Sequence, residues 1–491
     1  MIERFQPALA PIAPAFRPWV LALVQGLLPL LLRLRIFPWL PAAITAIEVE
    51  GDATLAHCWH RFDTGQARLL LAFRHVEVDD PLLGLHLLSR VLPRRAARLG
   101  LNLGAPVHAH FLFDRGMPLW AGRPLGWLLA SLGGVSLRRG RQPDWRALRQ
   151  ARQLVLAGRF PFAVAPEGAT NGHSECIGPL EPGVAQLALW CVDDLRQAGR
   201  SEEVLLLPIT IQYTYRKADW PRLARLMTKL EAWIGLSAPA QQRPLNPAAD
   251  ESVGDQTGDA VDGPYGRLVR ISEALLDRLE CLDGPCSEMA LTRSGLDRFG
   301  SGSPSGLPLR PAQPGAKSGR LSWRLEQLVE RCLVLAESHF GCPSTGTSAQ
   351  RCRRVEEQSW RWIYRDDLPP RHQLSPLDRA LADRAAHGAA LAALPMRLAE
   401  TFVAVSGSYV AERPSFERFM ETTLLIHDAL ARIHTDGLPA RPRLGARRAR
   451  ITIGSPISVT ECSRGRGQGE RRQLLASLSA DLRHAFEQAL I

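Results

Sequence analysis

Residues 69–81 read Leu-Leu-Leu-Ala-Phe-Arg-His-Val-Glu-Val-Asp-Asp-Pro, and this stretch decides how the chain is organised. An unbroken apolar run of strand length that ends in a polar cluster is expected of a strand buried on both faces. Here the run from Ala67 ends at His75, and Pro81 to Leu92 then has apolar spacing suited to a helix. Working outward, strands are expected at 44–51, 106–114, 160–168 and 204–215. Helices are expected at 124–133, running into Gly133-Gly134, at 144–157 with Asp144 near the first turn, and at 184–199. Strands alternating with helical patterns imply an α/β fold, a mostly parallel sheet flanked by helices.

The polar end of the run carries chemistry. A histidine where a strand opens into a loop can present its imidazole to a substrate, and an aspartate five residues on can accept its second ring N–H. That contact fixes the tautomer and stabilises the imidazolium formed when His75 takes a proton from an attacking hydroxyl. His75 and Asp80 are the candidate pair, with Asp79 competing at one residue's shorter spacing. An acyl thioester is already activated, so no serine or cysteine nucleophile is required. A second segment, Val164-Ala-Pro-Glu-Gly-Ala-Thr-Asn-Gly172, follows a strand and sets a carboxylate beside glycine, where backbone can approach a ligand closely.

Taken in order, these segments resemble the bacterial phospholipid/glycerol acyltransferase family, which includes the 1-acylglycerol-3-phosphate acyltransferases. His75 to Asp80 matches its H-x4-D block, and Gly133-Gly-Val-Ser-Leu-Arg-Arg-Gly140 looks like its second block. Pro166-Glu167-Gly168 matches the core of the third block, FPEGTR, and Leu207-Pro208-Ile209 the fourth. Glu181-Pro-Gly-Val-Ala185 resembles the helix start between those two. The resemblance covers roughly residues 40–216 and resumes at Gly454-Ser-Pro-Ile457, similar to a closing G-x-P-[IL] turn.

The resemblance implies an O-acyltransferase with His75 as general base and Asp80 steering it. Arg138, Arg139, Pro166, Glu167, Gly168 and Thr170 would bind substrate. The acyl donor would be acyl-carrier protein or acyl-CoA, with no further cofactor or metal. The leading acceptor would be a lysophospholipid, 1-acylglycerol-3-phosphate. The chain departs from the pattern at four places. Arg74 stands where the family has asparagine, Glu77 where it has serine or threonine, and Ala169 and Thr170 replace the threonine and arginine of EGTR. That arginine serves the acceptor's phosphate in the family, so Arg138, Arg139 or Arg141 would have to compensate, or the acceptor is a different hydroxylated lipid. A non-catalytic lipid-binding protein on the same fold is the alternative from another class.

The resemblance also sets the domain expectation. Residues 43–216 would form the acyltransferase core, and 446–491 would return to it as a strand and a closing helix. Residues 217–445 would be a helical insertion, or alternatively an independent C-terminal helical domain, with flexible linkers at 237–264 and 294–319, both rich in Pro, Gly, Ser, Asp and Gln. Helical segments are expected at about 265–282, 320–340, 349–364, 376–403 and 414–433.

Residues 1–42 are expected to form a pair of interfacial helices, with a buried core helix as the first alternative and a true membrane span as the second. Trp19 to Leu32 is apolar for 14 residues but interrupted by Pro29 and followed by Arg33 and Arg35. A membrane span needs about 20 apolar residues, and no small-residue cleavage site follows, so a removed leader is not expected. Tryptophans and arginines at its ends suit the headgroup level. Localisation at the cytoplasmic face of a bacterial inner membrane, or its equivalent, follows from this reading.

Charge agrees with anionic partners. Among 60 basic residues only Lys217, Lys229 and Lys317 are lysine, and the formal net charge is +11. Between Arg74 and Arg159 fourteen arginines face five acidic residues, which suits an anionic lipid surface or an acidic carrier protein. No zinc-finger spacing, aromatic-basic motif or basic heptad helix accompanies the charge, so nucleic acid is not an expected partner. Nine scattered cysteines without a CxxC pair argue against a zinc site and a disulfide framework. His108 and His110 alternate along one strand and could both face the site, but no third ligand stands at useful spacing.

Overall fold

Leu69 and Leu71 pack into one apolar layer and Leu70 and Ala72 into another, all four buried. Side chains alternate across a strand, so a strand covered on both faces is apolar at every position. The computed structural model describes residues 4–7, 10–37, 40–138, 144–236, 263–280, 317–402, 407–434, 440–465 and 468–490. Its strands in chain order begin with β1 (Gln6–Pro7), β2 (Ile44–Glu50), β3 (Ala67–Phe73), β4 (His110–Asp114) and β5 (Gly134–Leu137). They continue with β6 (Phe162–Val164), β7 (Glu203–Tyr215), β8 (Tyr364–Arg365), β9 (Arg447–Ile453) and β10 (Ile457–Ser458).

The main sheet has the order β2-β9-β7-β3-β6-β4-β5, with β10 antiparallel beside β7. Strands β7, β3, β6, β4 and β5 run parallel, while β9 is antiparallel to β7 and carries β2 alongside in its own direction. The fold is α/β with a mostly parallel sheet flanked by helices, as the sequence indicates. On the Leu69 and Leu71 face lie the helices Pro18–Arg33 and Asp52–Asp63 and the helical run from Asp80 to Arg98. The other face is covered by the helices Trp145–Ala157, Gly183–Gln197 and Arg471–Gln488.

Several boundaries differ from expectation for identifiable reasons. The helical run after Asp80 extends past Leu92, but Leu87–Val91 widens to a π-type turn. Pro93 has no N–H to offer the carbonyl of Ser89, so the regular ladder fails just there. The strands expected at 106–114 and 160–168 shrink to β4 and β6, because only the residues paired with a neighbour are held extended. Helices Asp52–Asp63 and Trp220–Ile234 are additions to the expected set. The first breaks its apolar sequence with the polar residues His57, His60 and Arg61, which hides the period, and Asp219 caps the second through the Arg222 N–H.

Two compact units emerge: Leu9–Arg216 with Ala446–Ile491, and Met1–Ala8 with Lys217–Gly445. In the first, β9 fills the position between β2 and β7, and the Arg216 N–H donates to the Ala446 carbonyl at 3.0 Å. The second is helical, with helices Trp220–Ile234, Pro264–Glu280, Lys317–Phe340, Ser348–Ile363, Pro376–Ala392, Leu394–Phe402 and Phe416–His434. Buried ion pairs, Arg267 with Glu231 and Arg351 with Glu337, stitch its helices together, and β1 pairs with β8 within it. The linkers expected at 237–264 and 294–319 fall almost wholly outside the described residues.

The pair of helices expected within 1–42 is a correction. Among the described residues of this segment one helix forms, Pro18–Arg33, while residues 4–7 join the helical unit. It is apolar on two faces: Val20, Leu21, Leu28 and Leu32 are buried, whereas Trp19, Leu23, Leu27 and Leu30 are exposed. The exposed four recur at helical spacing and so form one stripe. Leu34, Ile36 and Phe37 beyond the helix are also exposed, and Trp127 lies 6.1 Å from Trp19, ring to ring. No helix among the described residues is long and apolar enough to cross a membrane.

Candidate active site

Strand register places the sequence-derived residues. Ala72 pairs with Val164, and Phe111 pairs with both Ala163 and Gly134, so the parallel strands share one carboxyl edge. Counting forward from these pairs, His75, Glu167 and Arg138 stand at one level just beyond the ends of β3, β6 and β5. Open parallel sheets gather ligand-binding loops at this edge. Since β3 and β6 are neighbours, the His75 loop and the Pro-Glu-Gly turn emerge side by side, and the Gly172 N–H donates to the Val76 carbonyl at 3.0 Å.

His75 Nδ1 lies 3.0 Å from Asp80 Oδ2, with the histidine side chain 27% exposed and the aspartate 5%. The same oxygen accepts the N–H of Val76 at 2.6 Å and of Glu77 at 2.9 Å. Asp80 opens the helical run, so its carboxylate turns back over its own loop. With Nδ1–H donating to a carboxylate, the Nε2 lone pair is left for a substrate proton.

The ambiguity between the two aspartates is resolved. Asp79 faces away from His75: its Oδ2 accepts the Ala42 N–H at 3.1 Å and pairs with the Arg447 guanidinium. Between the aspartates lies the hydroxyl of Tyr213 on β7, which donates to Asp80 Oδ1 and lies 3.3 Å from Asp79 Oδ1. Burial and the two adjacent carboxylates hold the Tyr213 phenol well above its usual pKa, so it keeps its proton. Arg447, at the start of β9, also stacks 4.5 Å over the Tyr213 ring and donates to the Ala42 carbonyl.

Arg74 is the second hub. Its guanidinium is fully buried, donates to Glu167 Oε1 at 3.2 Å and to the His173 carbonyl at 2.7 Å, and reaches the carbonyls of Ser174 and Cys176. The residue that departs from the family's asparagine thus ties the third-block loop to the histidine strand. Glu167 Oε2 is buried with no partner, and burial raises the Glu167 pKa to about 7 although Arg74 opposes the shift.

Of the other substrate-binding candidates, Pro166 is buried and Gly168 has φ +75°, a left-handed turn that favours glycine. Thr170 is exposed at the rim of the loop. Arg138 is exposed too, its backbone N–H held by Asp144, but β5 is three strands from β3, about 14 Å across the sheet. Arg138 is therefore not brought into the His75 cluster. Arg139 and Arg141 lie outside the described residues. The fourth block does meet the closing turn, since the Gly454 N–H donates to the Pro208 carbonyl at 2.9 Å.

His108 and His110 are a correction. They do point to one side, their ring N–H groups donating to the Leu132 and Gly133 carbonyls against Phe160. However, His110 is level with Leu70, five residues back from His75, about 16 Å along the strands. Burial pushes His108 down to about 4. Both belong to the core rather than the site.

No family model matches the sequence, and no curated protein does. The residues that sequence reasoning missed are Tyr213 and Arg447. Neither carries a local signal: they stand 133 and 368 residues from the aspartates they contact.

Proposed function

We propose that the chain is an O-acyltransferase of the phospholipid/glycerol acyltransferase type, moving a fatty acyl group from an acyl thioester to a lipid hydroxyl. One observation carries the reading: a partly exposed imidazole held by a carboxylate that two backbone N–H groups fix in place, beside the Pro-Glu-Gly turn. His75 Nε2 takes the proton of the acceptor hydroxyl as its oxygen attacks the thioester carbonyl. The tetrahedral adduct collapses, the carbon–sulfur bond breaks, and the thiolate recovers the proton from the imidazolium. Ester and free thiol result. Asp80 stabilises the transient cation without itself taking the proton.

The exposed stripe of the Pro18–Arg33 helix, continued by Trp127, suits a lipid surface, because apolar area facing water is costly and lipid removes it. Arg17, 5.5 Å from the Trp127 ring, and Arg33 flank the stripe with charge suited to anionic headgroups. On this reading the protein works at the cytoplasmic face of a membrane, with acyl-carrier protein or acyl-CoA as donor. A 1-acylglycerol-3-phosphate is the leading acceptor. The exposed Thr170 and the distance of Arg138 favour, as a second reading, an acceptor whose headgroup lacks phosphate.

The test is transfer of labelled acyl groups by purified protein in mixed micelles, with both donors and a panel of phosphate and non-phosphate acceptors. General-base loss in His75→Ala and mis-steering in Asp80→Asn should each lower kcat by about 10²–10⁴. No transfer to any acceptor, or a fully active His75→Ala, sinks the reading.

A further inference from the structure

The Tyr213 hydroxyl has one proton and two carboxylates within reach. If Asp79 took it, Asp80 Oδ1 would lose the donor that fixes the side of the carboxylate away from His75. Arg447 decides the contest, since its guanidinium pairs with Asp79 and leaves that carboxylate the weaker competitor for the phenol. The guanidinium is itself held by the Ala42 carbonyl and by stacking on Tyr213, so it has little freedom to leave. The groups converge from four places in the chain: the His75 loop, β7, β9 and the Ala42 turn.

We propose that Tyr213 and Arg447 are positioning residues for the His75 base, Tyr213 by holding Asp80 Oδ1 and Arg447 by directing the Tyr213 proton to Asp80 rather than Asp79. The inference rests on the acyltransferase reading for its kinetic consequence, though not for the geometry of the imidazole. Both side chains are buried, Tyr213 and Arg447 each 5% exposed, so they act through Asp80 on the chemical step and not on binding.

The test uses the full chain and two readouts. Tyr213→Phe keeps the ring and its packing; kcat should fall about tenfold, the scale of a hydrogen bond to a charged group, with KM unchanged. Arg447→Met should lower kcat at least as much, and adding Asp79→Asn should recover most of that loss by removing the competing charge. In the Tyr213→Phe background, Arg447→Met should cost little more, because both act through one proton. The second readout is the downfield Nδ1 proton resonance of His75 in histidine-labelled protein, identified by its loss in His75→Ala. It should broaden or move in Tyr213→Phe.

An unchanged kcat and an unmoved resonance in Tyr213→Phe overturn the proposal, as does a double variant no better than Arg447→Met. Should Arg447→Met fail to fold, the Tyr213→Phe result decides alone. If the wild type transfers no acyl group, the functional reading fails while the resonance still decides the positioning.

Discussion

Arg74 and Glu167, 93 residues apart in sequence, form an ion pair with both side chains sealed from solvent. Breaking a buried pair from one side leaves an uncompensated charge, and Arg74 also satisfies three loop carbonyls. Arg74→Ala should destabilise the protein by about 3–5 kcal/mol, read from the urea midpoint. Arg74→Lys should rescue little of this, because a single ammonium cannot reproduce a planar fork that serves a carboxylate and several carbonyls.

Glu167 gives a pH signature. Its pKa is raised from the usual 4.5 to about 7, mainly by burial, so the folded protein holds this proton more tightly than the unfolded chain. The group's contribution to stability is then full below its unfolded pKa and is lost as pH rises through the folded value. Glu167→Gln keeps the shape of the protonated acid and removes that slope. Denaturation curves at about pH 5 and pH 8 should converge for the variant and stay apart for the wild type. Equal slopes in both proteins would contradict the assignment.

Two successive alanines, Ala42 and Ala43, have φ of +49° and +59°. Left-handed backbone costs an L-residue about 1–2 kcal/mol, partly offset in glycine by the entropy it loses on folding. Ala43→Gly should therefore raise stability by about 0.5–1 kcal/mol in thermal or chemical melts. Ala43→Val, β-branched and less tolerant of positive φ, should lower it.

The exposed stripe is the lipid contact of the proposed reading. Leu23 and Leu27 are on the surface, so replacing both with glutamate leaves the core untouched. Sedimentation with anionic vesicles should weaken by at least about tenfold, since burying each leucine is worth on the order of 1.5–3 kcal/mol. Activity toward a detergent-dispersed acceptor should survive. Unaltered sedimentation would refute the stripe as a lipid contact.

The parallel sheet is legible in the sequence because its strands are apolar at successive positions, as in Leu69 to Ala72 and again in Val204 to Leu207. The His75 and Asp80 spacing is legible too, because both lie in one loop. The choice between Asp79 and Asp80 is not. It depends on Tyr213 and Arg447, which only strand order brings near, and a single sequence carries no trace of which distant arginine will meet which carboxylate. Arg74 looks like a defect in the motif, yet it is the most enclosed cation beside the histidine. The short apolar run of the Pro18–Arg33 helix suggests a lipid-facing element with a partner helix, and it hides that one of its faces belongs to the core.

The Arg447 contact has a temporal consequence. A ribosome delivers Asp79 368 residues before its guanidinium partner, a gap of about 20–70 s at ordinary elongation rates. Through that interval a growing chain already carries its histidine but lacks β9, whose Arg447 quiets the neighbouring charge. On the acyltransferase reading, competence would then arrive abruptly once β9 has emerged, and a nascent chain stalled before it would be an inert one.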